Sequence, residues 1–241
     1  MSPFVSIIIP AWNEEQRIVR TLQALQGLHK EAVPWRRMEI IVVDDGSEDR
    51  TYERAWPWVD ALIKHPRRQG KGIALTSGIR RAQGDYLLFL DADLEQSAAY
   101  ATLLVKPVIE ESADMVIANL PAPSRPAGRG LVKGLARRGI YTCCGYQASA
   151  PLSGQRALKA EIVDRIQRLS AGFGIEVGLT IDVARLGYRI EEVDVPFQHR
   201  ESGRDLAGIY HRSKQFLSVG MTLISKWREG KQQWSSDGSS T

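Results

Sequence analysis

The sequence GDYLLFLDADLE, residues 84–95, decides the fold class of this chain. Its apolar centre, YLLFL, shows no alternation of polar and apolar residues, and it is followed by acids at alternate positions, Asp91, Asp93 and Glu95. A short continuous apolar run is typical of a strand buried on both faces, as in a parallel sheet covered by helices. The acids that follow such a strand are expected at the rim of the sheet.

The same pattern recurs along the chain. Apolar runs predict strands at residues 4–11, 38–44, 61–64, 85–90, 113–120 and 189–197. Helical spacing predicts helices at residues 14–28, 72–82, 97–111, 131–138, 159–169, 175–186 and 206–228. Alternating strands and helices predict an α/β fold, with a mostly parallel sheet flanked by helices on both faces. In such sheets, ligands bind outside the carboxyl ends of the strands.

Composition is that of an ordinary globular protein. The 241 residues are 43% hydrophobic and 25% charged, which excludes collagen-like, disulfide-framework and wholly disordered classes. Cys143 and Cys144 are adjacent and lack zinc-site spacing, so we expect two reduced thiols in a reducing compartment. No basic segment precedes the apolar start, and no apolar run reaches the roughly 18 residues of a membrane span. We expect a cytoplasmic protein.

The charge is distributed unevenly. Residues 1–120 carry 14 Lys/Arg and 17 Asp/Glu, a net charge of −3, whereas residues 121–241 carry 18 and 11, a net charge of +7. A basic second half favours an anionic partner such as a phosphate or a lipid headgroup, although solvated Lys and Arg on helix surfaces account for the charge equally well. A nucleic-acid partner is not expected, because no aromatic platform or reader motif accompanies the charge.

The acids after the strand at residues 85–90 form an Asp-x-Asp-x-Glu run. If the chain stays extended, Asp91, Asp93 and Glu95 project to one side. Such a group suits Mg²⁺ or Mn²⁺ shared with a substrate diphosphate. The alternative is a solvated turn whose acids cap the helix that begins near Ser97. The position after a buried strand favours the metal.

Two further strands end in polar residues that would share this rim. Asn13 and Glu14 follow the first strand, and Asp44 and Asp45 end the second. The two aspartates could accept hydrogen bonds from a base N–H or a ribose hydroxyl, or they could simply form the turn before Gly46. Asn13 also fits the N-cap of a capping box.

Lys71 lies between Gly70 and Gly72 at a predicted helix start, which suits close approach to a phosphate. The surrounding sequence is neither the Gly-x-Gly-x-x-Gly pattern nor the Gly-x-x-x-x-Gly-Lys-Ser/Thr pattern. Dinucleotide-dependent dehydrogenases and P-loop ATPases are therefore not favoured.

Four of these segments together resemble the family 2 glycosyltransferases of the GT-A fold. They are VSIIIPAWNEE (5–15), IIVVDDGSEDRT (40–51), GKG (70–72) and GDYLLFLDADLE (84–95). The last looks most like the dolichyl-phosphate mannosyltransferase subgroup, in which a Gln commonly stands at the position of Glu95. The resemblance implies an enzyme that moves a hexosyl group from a UDP- or GDP-linked sugar to an acceptor, with Mg²⁺ or Mn²⁺ as cofactor and with inversion of the anomeric centre.

The resemblance also implies site residues, position by position. It assigns nucleotide contacts to Pro10, Ala11, Asn13, Glu14, Asp44, Asp45, Lys71 and Asp91. Asp91 and Asp93 become the metal and phosphate groups, Asp93 with a catalytic role, and Glu95 becomes a third metal ligand.

The second half of the chain resembles the family in shorter pieces. Ser153 and Gly154 belong to a P-x-S-G segment that lies beside the donor sugar in the family. Glu176 stands where many members carry the catalytic carboxylate, and a plain helix-end acid is an equal alternative. The loop HRESGR, residues 199–204, resembles loops that clasp a diphosphate or an acceptor phosphate, which implies binding roles for its two arginines, Arg200 and Arg204.

His199 in this loop has two interpretations. A similar loop occurs in glucosyl-3-phosphoglycerate synthases, where the His is a metal ligand, and those relatives retain the anomeric configuration. The other interpretation is a hydrogen-bonded loop residue. The family's Q-x-x-R-W motif is missing, so a processive polysaccharide synthase is not expected.

Two acceptors and one non-enzymatic function stay open at this point. A hydroxyl acceptor needs a general base, for which Glu176 is the candidate, whereas a phosphate acceptor needs arginines and is favoured by the basic second half. A polyprenyl phosphate would make the last helix an interfacial element on the inner face of the membrane, while a small phosphorylated metabolite would leave it in the core or in a homodimer. The third alternative is a nucleotide-binding regulatory protein without turnover.

The expected organisation follows from these segments. We expect a nucleotide-sugar-binding half at residues 1–120 and an acceptor-binding half of the same domain at residues 121–205. An amphipathic helix at residues 206–230 and a disordered tail at residues 231–241 complete the chain.

Overall fold

The computed structural model describes residues 3–28, 33–121, 130–166, 169–170, 172–198 and 206–237. Its strands are β1 (Phe4–Ala11), β2 (Arg37–Asp44), β3 (Ala61–Lys64), β4 (Tyr86–Phe89), β5 (Met115–Asn119), β6 (Arg156–Lys159) and β7 (Ile190–Asp194). They form one sheet in the order β3-β2-β1-β4-β6-β5-β7. All neighbouring strands pair in parallel except at β6, which is antiparallel to both β4 and β5.

Helices connect these strands. They are α1 (Ile18–Gly27), α2 (Thr51–Ala55), α3 (Lys71–Arg81), α4 (Thr102–Ile109), α5 (Gly130–Cys144), α6 (Ala160–Arg165), α7 (Ile175–Arg185) and α8 (Leu206–Asp237). Short 3₁₀ turns lie at Trp56–Trp58, Glu95–Ala101 and Gly172–Gly174. The prediction of a mostly parallel α/β sheet flanked by helices is confirmed.

The central strands are buried on both faces, as their unbroken apolar sequences predict. On one face, Ile7 and Ile9 of β1 pack in a cluster with Leu22 of α1 and Leu104 of α4. On the other face, apolar residues of β1, α3, α6 and α7 form a second cluster, with members Ile8, Leu75, Ile162 and Leu179. A third cluster joins α5, α7 and α8. The sheet is thus the middle of three layers.

Strand β6 was not predicted. The sequence analysis expected a helix over residues 159–169, but Arg156–Lys159 is a strand and the helix covers only Ala160–Arg165. The four residues RALK carry no period-2 apolar pattern, so pairing with β4 and β5 decides their conformation rather than local sequence. Because β6 is antiparallel, its first residue, Arg156, lies opposite Phe89 at the rim where β4 ends.

Helix α8 is longer than predicted. It continues to Asp237, past the expected boundary at residue 230 and into the segment expected to be a disordered tail. In the parts of the chain that the structure describes, no helix combines the length and apolar character needed to cross a bilayer.

Gly78 tests how closely α3 packs on the sheet. A Cβ at Gly78 would overlap the Cγ2 atom of Ile8 and lie 3.3 Å from Cγ2 of Val43. Gly78→Ala should therefore lower the free energy of unfolding by about 1–3 kcal/mol through overpacking. The measurement is urea denaturation followed by circular dichroism.

Gly134→Ala is the matched control, because a Cβ there meets no atom within 4 Å. This helical substitution should stabilise the protein by about 0.5–1 kcal/mol. Equal stability of the two variants would show that α3 does not lie against β1 and β2 as described.

Candidate active site

The loops after β1 and β2 are joined by hydrogen bonds that hold the predicted nucleotide-binding residues together. The amide of Asn13 donates to Oγ of Ser47 at 2.9 Å, and Oδ1 of Asn13 accepts from the amide of Glu48 at 2.9 Å. The amide of Glu14 donates to Oγ1 of Thr51 at 2.8 Å. The two loops therefore form one unit at the carboxyl ends of the strands.

Asn13 does not cap a helix, so the capping-box alternative is wrong. Its φ is +55°, and α1 begins only at Ile18, with Arg17 as the N-cap and no side-chain cap. Pro10 and Ala11 end β1 directly beneath this loop. The carbonyl of Ala11 accepts from the amide of Asp45 at 2.8 Å, which ties the ends of β1 and β2 together.

Asp45 fixes the loop that leads to Lys71 by hydrogen bonds to its backbone. Its side chain is buried, and its oxygens accept from the amides of Gln69 at 2.9 Å and Gly70 at 2.7 Å. Oδ1 also lies 2.8 Å from Nδ1 of His65, whose Nε2 is 2.9 Å from Oγ of Ser77. The Asp45 carboxylate and the Ser77 hydroxyl thus hold the two ring nitrogens of His65 in place. Asp45 therefore fixes the backbone that leads to Lys71. Its predicted contact with the nucleotide stays a prediction.

Asp44 differs from Asp45 in that only one of its two carboxylate oxygens accepts a hydrogen bond from the described residues. It is fully buried, and Oδ1 accepts from the amide of Ser47 at 3.2 Å. Its other oxygen, Oδ2, is buried and makes no hydrogen bond to any residue in the described ranges. A buried acceptor without a donor is uncommon in native proteins. Asp44 therefore keeps unused acceptor capacity beside the loops after β1 and β2.

Lys71 is the centre of a second group of predicted residues. Its Nζ lies 2.7 Å from Oδ1 of Asp91 and 3.1 Å from Oε1 of Glu176. Burial lowers the pKa of Lys71, but the two carboxylates outweigh it and hold the pKa above its ordinary value. The side chain is therefore positively charged at neutral pH, and it contacts two acids that come from different halves of the chain.

The P-x-S-G segment lies against this cation. A Cβ at Gly154 would overlap Nζ of Lys71, so only glycine allows this approach. The next residue, Gln155, donates from Nε2 to Oδ2 of Asp91 at 2.5 Å. The hydroxyl of Ser153 lies 3.3 Å from Oε1 of Gln155. Gln155 was missed by the sequence analysis, because the resemblance covered only the four residues before it.

The acids after β4 do not form an extended run, so the prediction that all three project to one side is wrong. The chain turns at residues 92–93, and Oγ1 of Thr21 in α1 bridges this turn. It donates to the carbonyl of Ala92 and accepts from the amide of Glu95, both at 2.8 Å. Glu95, with φ of +48°, then pairs with Arg20 at 2.9 Å and Arg17 at 3.7 Å.

This turn bears on the predicted metal ligands. Glu95 would have to leave two arginines to join Asp91 and Asp93. Within the described ranges, no group of three or more His, Cys, Asp or Glu side chains is arranged to hold a metal. Mg²⁺ and Mn²⁺ are, however, commonly held by one or two carboxylates together with substrate phosphates. The oxygen donors of Asp91 and Asp93 fit that arrangement.

A cleft of about 620 Å³ opens beside the two loops after β1 and β2. Its lining is aromatic and cationic, with Trp12, Gly46, Ser47, Glu48, Lys64, His65, Pro66, Arg67 and Arg68. The guanidinium of Arg68 lies 3.5 Å over the Trp12 ring. The volume of the cleft is in the range of small-molecule sites. Sequence reasoning did not assign these residues, although the run KHPRR at residues 64–68 after a short strand was a usable signal.

Three predicted residues, His199, Arg200 and Arg204, lie outside the described residues. Of the others, Asp91, Gly154 and Glu176 lie around the Lys71 ammonium, and we call these four residues the Lys71 cluster. Ser153 precedes Gly154 in the same segment. The remaining predicted residues lie at the ends of β1 and β2, in the loops that follow them or in the turn after β4.

Comparison with known proteins identifies the family of this chain. Residues 6–140 match the family model described as glycosyl transferase family 2. Dolichol-phosphate mannosyltransferase of Pyrococcus furiosus is 30% identical over 80% of this chain, which spans only 55% of that relative's length. Glucosyl-3-phosphoglycerate synthase of Mycobacterium tuberculosis is 29% identical, over 92% of this chain and 73% of the relative.

Solved structures give the same result. The M. tuberculosis synthase in complex with Mn²⁺, UDP and phosphoglyceric acid has a TM-score of 0.76 and 27% sequence identity. The match covers 93% of this chain and 78% of that one. A complex of the same enzyme with Mg²⁺ and UDP has a TM-score of 0.72.

The Lys71 cluster makes a prediction about stability. Lys71→Met leaves Asp91 and Glu176 close together without a cation, and should lower the free energy of unfolding at pH 7 by about 1–3 kcal/mol. Adding Glu176→Gln should recover part of that loss, because one of the two repelling carboxylates is then neutral. Urea denaturation of both single variants and the double variant measures the coupling.

Lys106→Met serves as the control, since Lys106 pairs with Glu110 on an exposed helix surface at 3.8 Å. Its cost should stay below about 0.5 kcal/mol. Additive effects of Lys71→Met and Glu176→Gln would mean that the two side chains are not coupled in solution.

Proposed function

Because the chain belongs to glycosyl transferase family 2, we propose that it transfers a sugar from a nucleoside diphosphate sugar to a phosphate-bearing acceptor with the help of Mg²⁺ or Mn²⁺. The observation that carries this proposal is the position of the Lys71 cluster, at the carboxyl ends of the strands and next to a cationic cleft. Ligands of open α/β sheets bind at this edge.

The cleft is the proposed site of the nucleoside. Trp12 and Arg68 offer flat faces for a base. Asp44 stays a proposed nucleotide contact on the resemblance alone, because its side chain is fully buried in this structure. Pro10, Ala11, Asn13 and Glu14 are proposed as further nucleotide contacts from the end of β1 and the loop after it, and Asp45 keeps the loop before Lys71 in place. The solved relative that binds UDP makes uridine the first base to test, with guanosine as the second.

The diphosphate is proposed to lie at Lys71, Asp91 and Asp93. Asp93 and Asp91 would hold the metal ion, which supplies Lewis-acid stabilisation of the departing diphosphate when bound. Lys71 adds a second positive charge from the protein, already oriented by its two carboxylates. Four further assignments rest on the resemblance alone. Glu95 and His199 are proposed as metal ligands, and Arg200 and Arg204 are proposed as phosphate contacts.

Glu176 is the proposed catalytic carboxylate on the acceptor side. It lies in the first turn of α7, buried, with Oε1 on Lys71. When the diphosphate attracts Lys71, Glu176 is released to accept a proton from an acceptor hydroxyl. An acceptor phosphate is already anionic and needs no base, in which case Glu176 serves to hold Lys71. Ser153 and Gly154 would line the sugar between these groups.

An exposed apolar stripe on α8 supports a lipid-linked acceptor. Leu217, Met221 and Ile224 have helical spacing, and each is more than half exposed. Helix α5, which packs against α8, presents exposed Lys133 and Arg137. Apolar side chains flanked by basic ones suit the surface of an anionic membrane. We propose that the enzyme works in the cytoplasm in peripheral contact with the inner face of the membrane, with a homodimer through this stripe as the alternative.

Nucleotide binding tests the core of the proposal. At a UDP concentration of about 100 times Kd, the melting temperature should rise by about 5 °C or more, and only when Mn²⁺ is present. Asp93→Ala should abolish this shift and lower turnover of the nucleotide sugar by at least about 100-fold. The measurements are differential scanning fluorimetry and UDP release, repeated with GDP and GDP-sugars.

Asp164→Ala on the exposed side of α6 is the control and should behave as wild type. A shift that survives in Asp93→Ala would count against the metal site. Binding that ignores Mn²⁺, without turnover of any sugar nucleotide, would favour the nucleotide-binding regulator.

Vesicle binding tests the membrane contact. Leu217→Glu combined with Met221→Glu should weaken co-sedimentation with phosphatidylglycerol vesicles at least about 10-fold, since two apolar side chains no longer leave water. Leu103→Glu, an exposed apolar residue of α4, should bind like wild type. If wild type ignores the vesicles and elutes as a dimer that the double variant breaks, the stripe is a subunit interface and the acceptor is a small phosphorylated molecule.

A further inference from the structure

Arg156 is a buried charge that sequence reasoning did not assign a role. The side chain is only 1% exposed, and it belongs to the first residue of β6. Because β6 is antiparallel to its neighbours, Arg156 lies at the rim, paired with Phe89 of β4 and Ile117 of β5. It therefore lies behind the P-x-S-G segment, at the edge of the sheet where the Lys71 cluster is found.

The guanidinium joins two separate pieces of the site. Nε donates to the carbonyl of Ser153 at 2.8 Å, and Nη1 donates to Oγ1 of Thr180 at 2.9 Å. The hydroxyl of Thr180 in turn donates to the carbonyl of Glu176 at 2.8 Å. Through one planar group, the turn that contacts Lys71 is connected to the helical turn that carries Glu176.

The electrostatic setting of Arg156 is costly. Burial lowers its pKa to about 10, while the nearby carboxylates of Glu176 and Glu192 act in the opposite direction. Nη2 is buried and makes no hydrogen bond within the described part of the chain. A buried donor without a partner lowers stability. The two hydrogen bonds that the guanidinium makes lead to the Ser153 carbonyl and, through Thr180, to the backbone of Glu176.

We propose that Arg156 is a positioning residue for sugar transfer. By holding the Ser153 carbonyl and the Thr180 hydroxyl at once, it sets the distance between the Ser153–Gly154 turn and the first turn of α7. That distance decides whether Lys71, which fits against Gly154, reaches Glu176 and Asp91 together. Arg156 does not touch substrate, so it acts through Ser153 and Glu176. This inference rests on the glycosyltransferase function proposed above.

The test is the kinetics of two variants, measured with the donor sugar that wild type turns over. Arg156→Met should lower kcat about 100-fold, because misplacement by about 1 Å can cost this much, with less than about a threefold change in donor KM. Arg156→Lys keeps the charge but has no planar fork to serve both acceptors, and should lie about 10-fold below wild-type kcat. Thr180→Val removes one branch only and should also lose about 10-fold in kcat, which keeps the inference testable if Arg156→Met fails to fold.

Lys226→Met is the matched control. Lys226 is also a buried cation that ties α7 to a neighbour, through Asp182 at 2.8 Å, but it lies away from the P-x-S-G segment. It should lose thermal stability and keep its kcat. If Arg156→Met and Lys226→Met lose the same fraction of kcat, or if the loss in Arg156→Met is confined to KM, Arg156 has no positioning role. Absence of transfer in wild type would instead reject the proposed function itself.

Discussion

The candidate active site depends on one ammonium group held between two carboxylates. Lys71 begins α3, Asp91 follows β4, and Glu176 lies in the first turn of α7, so the two contacts bring together segments from both halves of the chain. Without the Lys71 ammonium, the carboxylates of Asp91 and Glu176 would repel each other at the rim of the sheet. The cation between them makes their approach favourable. Glycine at position 154 fits this arrangement, because a Cβ there would displace the Lys71 ammonium from its present position.

Strand β6 is what makes this meeting geometrically feasible. A parallel strand in its place would put Arg156 at the opposite edge of the sheet, away from the ends of β1, β2 and β4. Because β6 runs antiparallel between β4 and β5, the turn before it returns to the rim and delivers Ser153, Gly154 and Gln155 beside Asp91. The antiparallel direction of β6 thus brings the segment before this strand to the site, opposite the loops that follow the parallel strands.

The sequence predicted well the part of the site that follows β1, β2 and β4, and it predicted poorly the part that precedes β6. The difference has a physical reason. Continuous apolar strands are a local signal, and parallel pairing places their carboxyl ends together, so Asp44 and Asp91 could be assigned to one rim in advance. Strand β6 and Arg156 depend on pairing with distant strands, which no local pattern records. The prediction for Glu95 failed similarly, because Thr21 of α1 and two arginines bend the chain after Asp93.

The charges at the rim also explain why a donor would need a metal ion there. Three acids, Asp91, Asp93 and Glu176, outnumber the cations Lys71 and Arg156, and Arg156 is too deeply buried to meet a ligand. A diphosphate entering this region would therefore meet a net negative charge beside one usable ammonium. With Asp91 and Asp93 as its ligands, a bound divalent cation would reverse that balance, so the diphosphate would be attracted to the two aspartates rather than repelled by them. On the proposed function, the two aspartates would bind the cation that accompanies the substrate, and Lys71 would bind the diphosphate beside it.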